Sequence, residues 1–72
     1  MRSYEAALEV QHRHESAIMA MPGVTAVGVK LRAGDLVLEV SVDPDAPVPP
    51  GLQELDLDDL PLVVEHRPHD AR

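Results

Sequence analysis

Residues 24 to 43, VTAVGVKLRAGDLVLEVSVD, form two runs of alternating apolar and polar positions on either side of a glycine. Alternation with a period of two is the mark of a half-buried strand, and two such runs around a turn predict a β-hairpin. A turn at Gly34-Asp35 pairs Leu31 with Leu38, Val29 with Val40 and Val27 with Val42, all apolar. The opposite face then pairs Lys30 with Glu39, Gly28 with Ser41 and Ala26 with Asp43. One face of the ribbon is thus ready for burial, since cross-strand pairs of like character stabilise a sheet.

The period changes on the N-terminal side. Tyr4, Ala7, Leu8, Gln11, His14, Ile18 and Met21 recur at helical spacing and predict a helix over 4–21. Ser3 is placed to cap it, and Glu5 suits its first turn. Glu9 and Arg13 form an outward i,i+4 pair, and His14 on the stripe is expected to bond a backbone carbonyl. Pro22-Gly23 ends the helix and turns the chain into the first strand. After the hairpin, DPDAPVPPG (43–51) holds four prolines and predicts a stiff, extended connector. A short helical turn is expected around Leu52, Glu54 and Leu55, followed by a third strand over 60–67 with Leu60, Leu62 and Val64 on one side.

The order is therefore helix, β-hairpin, Pro-rich crossover, third strand. It predicts a single small α+β domain over 1–72, an N-terminal helix packed on a three-stranded sheet, with 67–72 as a frayed tail. One helix covers one sheet face. The other would show Val24, Ala26, Gly28, Lys30, Val37, Glu39 and Ser41, joined by Val63, and is the expected interaction surface. The acidic segment 43–60 folding back over that face is the competing expectation.

Composition sharpens this picture. At 72 residues, with no cysteine and Tyr4 the one aromatic, the core must be built from aliphatic side chains and has no disulfide to hold it. Such a core gains stability from association, so a homo-oligomer or a larger protein partner is expected. The formal charge is −7, and residues 43–60 carry six carboxylates with no Lys or Arg. Nucleic acid is excluded as a partner for want of a basic patch, and no apolar run is long enough to span a membrane. With no secretory h-region, a cytoplasmic location is expected.

No catalytic pattern emerges. None of Ser3, Ser16 and Ser41 sits in a nucleophile turn, and so small an aliphatic domain can scarcely line a water-excluding site. An enzyme is not expected, nor any cofactor. His12 and His14, two apart on a helix, point to different sides. His12 with Glu15 supplies only two ligands, and His66, His69 and Asp70 could form at most a weak chelate.

The run IMAMPGVTAVGV (18–29) with the later PPGLQELDLDDLPLVVE resembles a small bacterial accessory domain found beside trypsin-like serine peptidases. That resemblance covers about residues 18–65 and implies a non-catalytic module, an accessory or inhibitor-like domain, since no peptidase triad is present. Pro22-Gly23-Val24 and the valines after it also resemble heavy-metal-associated domains. That family is ferredoxin-like and holds its metal through two cysteines, both missing here. This second resemblance implies a ferredoxin-like fold short of its first strand, whose sheet would keep an open slot for another chain. Three functional expectations follow: a protein-interaction or regulatory module, a metal- or small-ligand-binding module, and a peptidase-associated accessory domain.

Overall fold

A computed structural model describes residues 3–67. The chain is α+β, with helix α1 (Tyr4–Met19) followed by strands β1 (Val24–Arg32) and β2 (Asp35–Val42). A 3-10 turn, Pro50–Glu54, then precedes strand β3 (Leu62–His66). The sheet is mixed, in the order β1-β2-β3, with β1 antiparallel and β3 parallel to β2.

The helix begins as its sequence dictates. The Ser3 hydroxyl accepts the Ala6 N–H at 3.1 Å, satisfying one of the orphan donors of the first turn. It ends two residues before the expected Met21, where the Ala20 N–H donates to the Ser16 carbonyl and the Met21 N–H to the Ile18 carbonyl. Ala7, Val10 and Ile18 form its buried line. Tyr4, expected on that line, is 55 % exposed. Val10, outside the expected stripe, is buried, whereas Gln11 and His14 on it are half-buried.

His14 differs from its expected role. Its ring is half-buried, and Nε2 is shut away from solvent with no hydrogen-bond partner rather than bonded to a carbonyl. A buried polar atom left unpaired costs about 1–3 kcal/mol. His14→Leu is therefore expected to raise stability by roughly 1 kcal/mol, read as a higher urea midpoint with an unchanged slope. A lower midpoint would show that the imidazole is held by an interaction worth more than its desolvation.

The hairpin carries the expected faces in a different register. Observed pairs are Leu31 with Leu36, Val29 with Leu38, Val27 with Val40 and Gly28 with Glu39, two residues away from the expected alignment. The turn is Ala33-Gly34, both at positive φ (51° and 84°), the geometry that matches the twist of a two-residue hairpin. A slip of two leaves each side chain on its own face, so patterning alone could not separate the two registers. A bulge at Thr25 interrupts the ladder between the Val24–Val42 and Ala26–Ser41 pairs. The Thr25 hydroxyl donates to the Ser41 carbonyl at 3.3 Å.

β3 lies beside β2 with Leu38 opposite Leu62 and Val40 opposite Val64. It starts at Leu62 rather than residue 60, because Pro61 has no N–H to give; its carbonyl instead accepts the Leu38 N–H at 2.8 Å. This pairing closes the slot that a ferredoxin-like reading left open. In a split β-α-β unit the parallel strands are separated by another strand, whereas here β2 and β3 are immediate neighbours.

The crossover also lies elsewhere than on the second face. Leu52, Leu57 and Leu60 are buried with Ala7, Val10 and Ile18 of the helix against Leu38, Val40 and Val42. Arg13 of α1 reaches Asp58 at 2.9 Å, which ties crossover and helix side by side. The acidic segment thus shares one sheet face with the helix. Among the described residues no element is left for the other face.

Candidate protein-interaction surface

Alternation along the strands puts Ala26, Gly28, Lys30 and Arg32 of β1 on the uncovered face, beside Val37, Glu39 and Ser41 of β2. The parallel register adds Val63 and Glu65 of β3, opposite Glu39 and Ser41. Val24, expected here, is not part of it. The Thr25 bulge inserts one residue and reverses the parity of what precedes, so Val24 packs against the core instead.

The face is more polar and less open than its composition suggested. Glu39, on the central strand, is only 4 % exposed, and Val37 beside it only 5 %. Two arginines account for the buried carboxylate. Arg32 pairs with both Glu39 and Glu65. Arg67 holds Glu65 at 2.7 Å and Glu39 at 3.6 Å. Val37, opposite Lys30, stands on the rung between Arg32 and Glu39 on this face. The hydrogen bond to Glu65, then that to Glu39, raises the Arg32 pKa. Arg32 and then Arg67 hold the Glu65 carboxyl below its usual range.

One part of the face stays open. Ala26, Gly28, Lys30, Glu39, Ser41 and Arg67 border a shallow concavity of about 180 Å³. A side chain at Gly28 would meet nothing within 4 Å, and the residue has no positive φ to explain it. Neither turn geometry nor close packing inside the chain accounts for this glycine, although it weakens a strand.

Both sheet edges are blunted. β1 carries the Thr25 bulge and Lys30, and β3 is short and preceded by Pro61. No protein-family model, curated protein or solved structure matches the chain.

The remaining candidates are scattered. His66 Nε2 lies 3.2 Å from the Ala46 carbonyl, and His69 and Asp70 fall outside the described residues. His12 and Glu15 flank an open depression on the helix with Ser16 and Met19. Among the described residues no three metal-ligating side chains converge, and no helix is long and apolar enough to cross a membrane.

Sequence reasoning missed Arg32, Glu65 and Arg67 as members of the surface. Arg32 was within reach, because it continues the Lys30 parity to the strand end. Glu65 and Arg67 become neighbours of Glu39 only once β3 is known to run parallel to β2.

Proposed function

We propose that this chain is a non-catalytic protein-interaction module that docks a larger protein against its uncovered sheet face. The observation that carries the reading is Gly28, an unneeded glycine at the floor of a concavity with nothing above it. A missing side chain in mid-strand is useful where another backbone comes close. The charged rim supports a fixed orientation: Lys30, Arg32 and Arg67 against Glu39 and Glu65 present one net positive charge on a chain of −7. A partner loop bearing a carboxylate suits that rim.

Size argues for a larger partner over a second copy. Two sheet faces packed together would bury only a few hundred Å² each for three strands spaced about 4.8 Å apart, short of the ~800 Å² per partner of a stable interface, whereas a larger protein can reach past the sheet onto the flanking loops. Blunted edges oppose extension of the sheet by strand pairing. The resemblance of residues 18–65 to peptidase-adjacent accessory domains supports the same reading.

Gly28→Val separates docking from folding. Valine favours strand geometry and finds open space here, so the variant is expected to be as stable as the parent or about 0.5 kcal/mol more so. Affinity capture from the native host should lose the partner at least tenfold. Recovery of the same proteins at equal yield would defeat the proposal. Light scattering at micromolar concentration is expected to give the 7.8 kDa monomer mass when no partner is present; a doubled mass that Gly28→Val abolishes would make the occupant a second copy.

A further inference from the structure

The uncovered sheet face is not the only surface shaped for a partner. Where α1 gives way to β1, the Pro22-Gly23 turn and the run 46–50 enclose an apolar notch of about 240 Å³. Four of the chain's seven prolines line it, and Pro22, Pro47 and Pro50 are exposed at its rim.

Its walls are fixed in advance. Proline holds its own φ, and Pro49 sits at φ −62°, ψ 128°, an extended geometry close to polyproline II. The two walls touch so closely that a Cβ on Gly23, at φ +86°, would lie 2.7 Å from the Ala46 Cβ. The Asp43 N–H donates to the Gly23 carbonyl at 2.8 Å, and the Ala46 N–H to the Asp43 carbonyl at 3.0 Å. A concavity that needs no ordering on binding loses less entropy when it is filled.

The chain segment that forms its second wall is acidic, and the His66 imidazole reaches it from β3, 3.2 Å from the Ala46 carbonyl. Asp43 and Asp45 stand at the entrance to the proline run, and no Lys or Arg occurs between residues 43 and 60. The Asp43 carboxylate is turned back to accept the Asp45 N–H at 2.9 Å, while the Asp45 side chain is exposed.

We infer that the notch receives an aromatic side chain, flanked by Lys or Arg, from another protein. Proline rings and aromatic faces are complementary apolar surfaces, the pairing on which recognition of proline-rich segments rests. The exposed Asp45 carboxylate, next in the chain to the Ala46 wall, favours a basic flank and repels an acidic one. This chain has no Phe or Trp of its own to fill the space. The site lies on the crossover, apart from Gly28, and stands or falls separately from the sheet-face proposal.

The absence of tryptophan makes the test clean, because the probe alone emits as indole. Lysyl-tryptophyl-lysine amide, titrated into the intact protein, is expected to bind saturably. Amide shifts should be confined to Gly23, Ala46, Val48 and Gly51. The acidic analogue, glutamyl-tryptophyl-glutamate, should bind at least about fivefold more weakly. Pro47→Glu, at an exposed position, should keep the far-UV spectrum and abolish binding. No saturation by about 10 mM, equal binding of the two peptides, or shifts centred on Gly28 would each overturn the inference.

Discussion

Replacing Val40 by Asp is expected to leave no folded protein in buffer at about 25 °C. Val40 is fully buried on the central strand, with Val27 opposite it on β1 and Val64 on β3. A carboxylate there has no cation within the aliphatic core to pair with, and an unpaired buried charge costs several kcal/mol. A 72-residue domain has about 4–10 kcal/mol of stability in total. The substitution consumes most of that. Lys30→Asp, exposed on the other face, is expected to cost less than about 1 kcal/mol. Far-UV circular dichroism and urea unfolding of the two variants read out the difference. Comparable losses at both positions would mean that the second face is buried as deeply as the first.

The second large effect is electrostatic and reverses sign with pH. In the parent protein Arg32 and Arg67 hold the Glu65 carboxyl below its usual range. A carboxyl whose folded pKa is depressed contributes stability above its unfolded value and loses it as pH falls through the folded one. The parent is therefore expected to weaken from about pH 5 downward. Arg32→Ala with Arg67→Ala removes both cations and leaves Glu39 and Glu65 side by side with no countercharge among the contacts that now hold them. Two neighbouring carboxylates disfavour joint ionisation, so the cause that held the Glu65 carboxyl below its usual range is gone and repulsion takes its place. The double variant should melt roughly 10 °C lower at pH 7 and gain stability on mild acidification. Adding Glu39→Gln should restore part of the loss. A double variant that still weakens toward acid would show that the arginines do not control the face.

The elements of this fold follow from residue periodicity, and their existence could be read before their arrangement. Ser3, the apolar alternation of 27–31 and 36–42, and Pro22-Gly23 are local signals with local consequences. Register was not local in this sense: a two-residue slip preserves both faces, so the decision rested with the turn. There Ala33, a residue with no special tolerance for positive φ, adopts φ 51°. The bulge at Thr25 left no mark in the sequence, and it moved Val24 from the expected surface into the core. The arginine pair was hidden for a different reason. Glu39 and Glu65 are 26 positions apart, and only the parallel pairing of β3 brings them under the same two guanidinium groups.

The place of β3 has a consequence for how copies of this chain can combine when concentrated. It joins the sheet through β2 alone, after a long crossover, and no later described element locks it in place. A third strand that left its own β2 for that of a neighbouring molecule would pull on Leu52, Leu57 and Leu60 beside the helix and would part Glu65 from its own Arg32, so the neighbour has to supply the equivalent contacts. The exchanged pair would keep the native strand contacts of both partners, with the crossovers as the segments that change course. The prolines of 44–50 make that course stiff, so they act as a brake on exchange as well as a wall of the notch. Topology alone thus leaves an edge strand at the chain's far end open to reciprocal exchange between identical chains, while the rigid connector and its buried leucines oppose it.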